Sequence, residues 1–424
     1  MKKNTVRLTA LLTALCLLLS LAGCGGSPAA STEAPAEQTT GAPTEQTAAA
    51  PTAEQTTEAV TEQTTEAATE PALPVREMNA LRERAVAYMK AMAVVEWTPG
   101  TDTAGTDYWA GYKYGTTIHG IPYTNVWDSS LEEFTGYLKD GVYTGPVGKN
   151  TAIGVDCTSS TLAAWGTAIT DCSAVWTAQM MPFRNGTIKV GDYASKAAMA
   201  DTTAIVEANE EQELFKAYAQ VIPGDAMLRY KDGEGHCRMV TLYPTVVRLA
   251  DGSIDGENSF IYVTEVGVSG VDAQGCKTMW TIDFPYSFNK LIETHYIPIT
   301  TKEMNEGVEV PVDLKLSEET APDVLLAQGF YGKLKCNYRM YEVIATVTDA
   351  AGQEVRRVVD YPVNNPNNCL KQSSREYRLS GLDTPLALKE LPAGTYQLSV
   401  SVNAAAKLLP AFTIDFTVAP KDAN

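Results

Sequence analysis

Residues 154–165 read Gly-Val-Asp-Cys-Thr-Ser-Ser-Thr-Leu-Ala-Ala-Trp, and the role of Cys157 in this stretch decides the fold. A cysteine here is either a small core residue that opens a helix or a nucleophile held at a helix start. Asp156 is a good N-cap, and Leu162, Trp165 and Ile169 then recur on one apolar face. The spacing predicts a helix with Cys157 in its first turn. Unpaired N–H groups and the helix dipole favour a thiolate there and offer donors to an oxyanion.

A thiol nucleophile needs a base, and the chain has three histidines, His119, His236 and His295. His236 follows the turn Asp232-Gly233-Glu234-Gly235 and opens a strand-like run, a position that presents an imidazole at a sheet edge. His119 lies in a loop beside Gly120, and His295 lies near a domain boundary. Around these residues, a helix is predicted over residues 76–95 from Met78, Leu81, Ala85, Met89 and Met92, and a second over 207–221. Strand-like runs follow at Ala226–Tyr230, Arg238–Tyr243, Thr245–Leu249 and Phe260–Val266. Helices first and strands afterwards is the pattern of a segregated α+β domain.

Asp156-Cys157-Thr158 at a helix start, then Pro223-Gly224-Asp225, then Gly235-His236 resembles, in that order, the NlpC-type cell-wall cysteine peptidases of the papain-like fold. The resemblance covers residues 76–300. It implies Cys157 as nucleophile, His236 as base and Tyr123, in Gly120-Ile121-Pro122-Tyr123, beside the oxyanion site with Asp156 and Thr158. A third residue that orients the imidazole is expected on the strand after His236, where Thr264 and Glu265 are the polar candidates. Glu265 is preferred because a carboxylate can fix the tautomer. The substrate implied is an amide bond of peptidoglycan peptides, with no cofactor and no metal. Thr158 and Ser159 stand where the family has serine and glycine, Cys237 and Arg238 where it has small apolar residues. An insertion around Asp171–Asp201, expected to form a lid or cleft wall, lengthens the interval to His236.

The ends of the chain suggest where such an enzyme would work. Lys2, Lys3 and Arg7 precede an apolar run from Leu8 to Leu21, and Leu21-Ala22-Gly23-Cys24 resembles a bacterial lipobox. Residues 1–24 are thus expected to be a lipoprotein signal, with Cys24 the lipidated residue. Residues 25–75, built from Thr, Glu, Ala, Gln and Pro, lack aromatic and basic side chains and read as an extended tether. The expected location is the outer face of a bacterial membrane, reached through lipid alone. A net charge of −18 argues against a nucleic-acid partner.

Residues 306–424 change character. Tyr341, Val343, Ala345 and Val347 alternate, Asp349-Ala350-Ala351-Gly352 turns, and Val355–Val359 resumes. Further alternation at Tyr396–Val402 and Phe412–Val418 predicts an all-β, immunoglobulin-like sandwich after a peptidase domain at 76–305. Its expected role is accessory, binding wall polymer or a protein. Cys336 and Cys369 could form a disulfide across it. Cys237 beside His236 lacks any Cys-x-x-Cys or His-x-x-x-His spacing, which argues against zinc there. Two other functions stay open: a transglutaminase-like acyl transferase, which would use Asp283 behind the histidine, and a surface binding protein with a degenerate catalytic domain.

Overall fold

Helix α1 (Ala80–Val94) starts at Asn79, whose side chain accepts the Leu81 and Arg82 N–H groups. Its buried stripe is Leu81, Ala85, Met89 and Met92, the face expected from spacing. The computed structural model describes residues 76–420 other than 125–128, 149, 183, 197–198 and 363–373. The signal segment with Cys24, the tether and Cys369 lie outside the described residues. The described residues form one compact unit, mixed in helix and strand.

The main sheet joins ten strands. In chain order they are β1 (Glu96–Pro99), β2 (Ile118–His119), β3 (Leu138–Lys139), β4 (Val142–Tyr143), β5 (Thr187–Lys189), β6 (Ala226–Lys231), β7 (Glu234–Thr245), β8 (Phe260–Val271), β9 (Lys277–Ser287) and β10 (Ile297–Thr301). Their spatial order is β3-β4-β1-β2-β9-β8-β7-β6-β10-β5. Strands β6 to β9 form an antiparallel meander, the arrangement that short turns permit. Helix α1 and the helix Cys157–Gly166 pack on this meander and on each other.

Two expectations need correction. The helix expected over 207–221 is shorter, Glu211–Tyr218, and a separate helix ends at Glu207 just before it. Helix α2 is Leu131–Gly136, α3 is Cys157–Gly166, α4 is Thr202–Glu207 and α5 is Glu211–Tyr218. Glu210 and Glu213 form a capping box that starts α5 afresh, a local competitor that the apolar spacing hid. Of the strand expected at Thr245–Leu249 only Thr245 belongs to a strand, the end of β7, and Arg248 makes a lone bridge to Ile254. Pro244 has no N–H to give, the register shifts between Leu242 and Thr245, and the chain leaves the sheet.

Beyond β10 a second core forms. Strands β11 (Leu314–Leu316), β12 (Lys333–Cys336) and β15 (Glu376–Arg378) make one sheet, and β13 (Met340–Asp349), β14 (Glu354–Asp360), β16 (Gly394–Ala404) and β17 (Lys407–Val418) another. Leu334 and Tyr377 from the first share a core with Val343, Val347, Leu398 and Val400 from the second. Helical turns absent from the sequence reading, among them Pro322–Gln328, also contribute, with Leu325 buried. Among the described residues no helix is long and apolar enough to cross a membrane.

The first core is pinned by a buried ion cluster. Asp225, fully buried, bonds Arg82 at 2.8 Å and Arg76 at 2.5 Å, and accepts the Ile222 N–H at 2.9 Å. Burial raises its carboxyl, but Arg82 and Arg76 outweigh that and hold it below its ordinary value. A lowered carboxyl stabilises the fold above its ordinary pKa, and that stability is lost as pH falls through the folded value. Asp225→Ala leaves Arg82 buried and unpaired. It is expected to cost about 3–5 kcal/mol, read as a lower urea midpoint at neutral pH, with the gap to the native protein narrowing in acid.

Candidate active site

The stretch around Cys157 folds as a capped helix. Asp156 accepts the Ser159 N–H at 2.6 Å, and the Ser159 hydroxyl accepts the Asp156 N–H at 2.8 Å. This reciprocal box gives Ser159 a local reason to stand where the resemblance has glycine. Ser160 N–H bonds the Asp156 carbonyl. The Cys157 and Thr158 N–H groups open the helix ahead of these bonds, where no intrahelical acceptor exists. Trp165, one end of the same helix, donates to the Gly224 carbonyl at 2.8 Å and so fixes α3 against the Pro223-Gly224-Asp225 turn.

His236 stands near the start of β7, bonded to the Glu265 carboxylate and close enough to the Cys157 thiol to feel its charge. Its Nε2 meets Glu265 Oε2, which leaves Nδ1 for the thiol. Glu265 is completely buried and also accepts Arg238 Nε at 2.8 Å and the Tyr286 hydroxyl at 2.7 Å. Burial raises this carboxyl, yet the bonds and charges of His236, Arg238 and Tyr286 hold it below the usual range. Burial pulls the imidazole down, but contact with Cys157 and Glu265 raises it to about 9. The Cys157 sulfur lies 3.9 Å from the Gly235 carbonyl, at the turn into β7.

Tyr123 reaches the same thiol. Its hydroxyl lies by Cys157, and burial, then the charges of Cys157 and Asp156, push its pKa well up, so it stays a neutral donor. The backbone pairs it with Val155, just before the helix. Two indoles hold the preceding loop: Trp97 Nε1 bonds the Gly120 carbonyl at 2.9 Å and Trp280 Nε1 the Ile121 carbonyl at 2.8 Å. Gly120 has φ +81°, and a Cβ there would fall 2.2 Å from the Trp280 ring, so no larger residue fits.

The inserted segment forms one wall. Its 3₁₀ turn Thr177–Met180 packs on β6 and β7. Thr177 Oγ1 bonds Thr158 Oγ1 at 2.5 Å, and a Cβ on Gly235 would meet Thr177 at 2.4 Å. Thr158 and Gly235 are thus matched to the insertion. Arg238 lies between Tyr286 and Tyr296, 3.8 and 4.1 Å from their ring centroids. Sequence reasoning missed Arg238 and Tyr286 as partners of Glu265. Arg238 follows His236 by two positions and so shares its face of the strand, a period-2 signal that was available.

Other candidates fall elsewhere. Asp283 accepts Lys90 at 2.8 Å and the Thr241 hydroxyl at 2.7 Å, in a separate network. Thr264 bonds Thr241 at 3.1 Å on the face of β8 opposite Glu265. Cys237 is buried, and desolvation pushes its thiol up, as suits a core residue. Cys336 is buried beside Asn337. Protein-family models give no match to this chain, and no curated protein matches it either.

A proton on His236 stabilises the fold below its ordinary pKa, and this contribution is lost as pH rises through about 9. The ring proton of His236 is expected to titrate near that value by NMR, tractable with three histidines in the chain. In Glu265→Gln the midpoint should fall, because an anion that favours the imidazolium is gone. An unchanged midpoint would show that Glu265 does not act on the ring.

Proposed function

We propose that the chain is a cysteine hydrolase of the NlpC-type, papain-like class that cleaves an amide bond in cell-wall peptides. The observation that carries this reading is the Cys157–His236–Glu265 relay at a helix start, with Tyr123 beside the thiol. His236 takes the thiol proton, and the thiolate attacks the amide carbonyl carbon. The Cys157 and Thr158 N–H groups and the Tyr123 hydroxyl stabilise the oxyanion. His236 then gives the proton to the leaving amine, and an acyl thioester remains on Cys157. A water, deprotonated by His236, attacks the thioester and releases the carboxylic acid and the thiol. Glu265 is a positioning residue that keeps the ring aligned and favours its charged form.

Two exposed indoles support an extended substrate. Trp109 lies against Tyr123, ring centroids 5.2 Å apart and tilted, and Trp176 immediately precedes Thr177, which bonds Thr158 beside the thiol. The lipobox and tether would set this enzyme at the outer membrane face, within reach of peptidoglycan. In the same reading the second core is an accessory, immunoglobulin-like sandwich. Asp283, engaged by Lys90 and Thr241, weighs against the transferase alternative. Thr158 and Arg238, the residues that favour a degenerate site, each make a bond that serves it.

Purified protein incubated with muropeptides should release a new amine and a new carboxyl group. Cys157→Ala should reduce this to background, and His236→Ala should lower kcat by about 10²–10⁴-fold. Transfer of the acyl group to an added amine, in place of hydrolysis, would favour the transferase. Equal turnover by the Cys157→Ala variant would sink the nucleophile assignment.

A further inference from the structure

Away from the Cys157 cleft, three side chains of different chemistry converge where β2 meets the β8–β9 hairpin. His119 is the last residue of β2, which pairs in parallel with β9. Asp272 and Cys276 flank the tip of the hairpin. One ligand atom from each of His119, Asp272 and Cys276 lies within 4.8 Å of the others, and all three side chains are half-buried. A tetrahedral zinc ion with bonds of about 2.0–2.3 Å keeps its ligand atoms roughly 3.3–3.7 Å apart, so His119 Nδ1 and Asp272 Oδ2, in hydrogen-bond contact here, must part while Cys276 closes in.

The surroundings have the form of an outer coordination shell. Asp272 Oδ1 accepts the Gln274 and Cys276 N–H groups, each at 2.9 Å, which fixes the turn and directs Oδ2 at His119 Nδ1. The other ring nitrogen, Nε2, lies 3.3 Å from Glu96 Oε2. A metal-bound histidine usually gives its second N–H to a carboxylate in this way. Within ion-pair distance these two carboxylates meet His119 alone among the described residues. Thiolate, imidazole and carboxylate together suit zinc, whereas magnesium and calcium take oxygen sets.

We propose that His119 Nδ1, Asp272 Oδ2 and Cys276 Sγ bind a divalent cation of the zinc class, with water at the fourth position. On binding, the Cys276 thiol proton passes to solvent. The imidazole proton moves from Nδ1, where Asp272 now accepts it, to Nε2, where Glu96 does. The ion ties two parts of the cleft together without entering it. His119 leads into the loop that carries Tyr123, and the hairpin tip ends the strand that carries Glu265. Bound metal therefore stabilises the segment that aligns both.

The test uses the full-length protein, freed of metal by chelation and dialysed against Zn²⁺ alone, then against Co²⁺. One zinc per chain is expected, with a raised melting temperature, and cobalt should give a thiolate charge-transfer band. Cys276→Ser and His119→Ala should lose the band and bind zinc more weakly by more than about tenfold, the lower range for losing even an outer-shell partner. Cys157→Ala should keep both. The proposal is overturned if the native protein binds no zinc, if both variants bind it as the native protein does, or if the band follows Cys157. Melting temperatures of the metal-free variants, expected to match the native protein, separate lost binding from lost folding.

Discussion

The Asp225 carboxylate is the constraint on which the rest of this structure depends. It sits at the head of β6, fully buried, and two arginines from the N-terminal segment converge on it. Taking three charges out of water is costly unless each finds a partner, so the cluster tolerates one arrangement of α1 against the sheet. The turn before it gives the Pro223 carbonyl to Arg82 and the Gly224 carbonyl to Trp165 of α3. One short turn therefore sets where two helices lie on the meander. Cys157 at the start of α3 and His236 on β7 inherit their separation from it.

A second buried carboxylate organises the chemistry. Glu265 takes three donors, and each has its own support: His236 from the strand beside it, Arg238 from between two tyrosine rings, Tyr286 from β9. An anion so held cannot easily take a proton, and it favours the charged imidazole. The residues that depart from the family pattern fall into this scheme. Ser159 closes the capping box, Thr158 bonds the insertion, and Arg238 braces Glu265. These are local solutions to the presence of an inserted wall and an ionised partner.

What could be read from sequence was what local physics decides. The Asp156 cap, the apolar stripe of α1 and the Asp349–Gly352 hairpin depend on neighbours a few positions away. Choosing between Thr264 and Glu265 needed a rule about which face of β8 meets His236, and chemistry alone supplied it. The register shift between Val263 and Glu265 against β9 is a detail that no alternation pattern encodes. The ten-strand order was not legible, because β2, β3 and β4 are two-residue strands, and β4 on β1 and β2 on β9 pair across long stretches of chain. His119 and Asp272, 153 positions apart, likewise share no spacing signal.

The second core touches the first at points that matter for the site. The Tyr341 hydroxyl, on β13, donates to the Ala163 carbonyl of α3 at 2.5 Å, and its ring lies 5.4 Å from Tyr88 of α1. Arg375 donates to the Cys172 carbonyl, in the insertion that walls the cleft. Arg84 of α1 bonds the Ala405 carbonyl at the β16–β17 turn and Glu309 on the connection. At the end of α3 the Thr167 N–H turns to the Ala164 carbonyl, so the Tyr341 hydroxyl caps an Ala163 carbonyl that this N–H does not take and holds α3 from behind. The second core thus bears on α3, the inserted segment and α1 at once. Whatever it binds, a shift of β13 would act on α3, the element that carries Cys157.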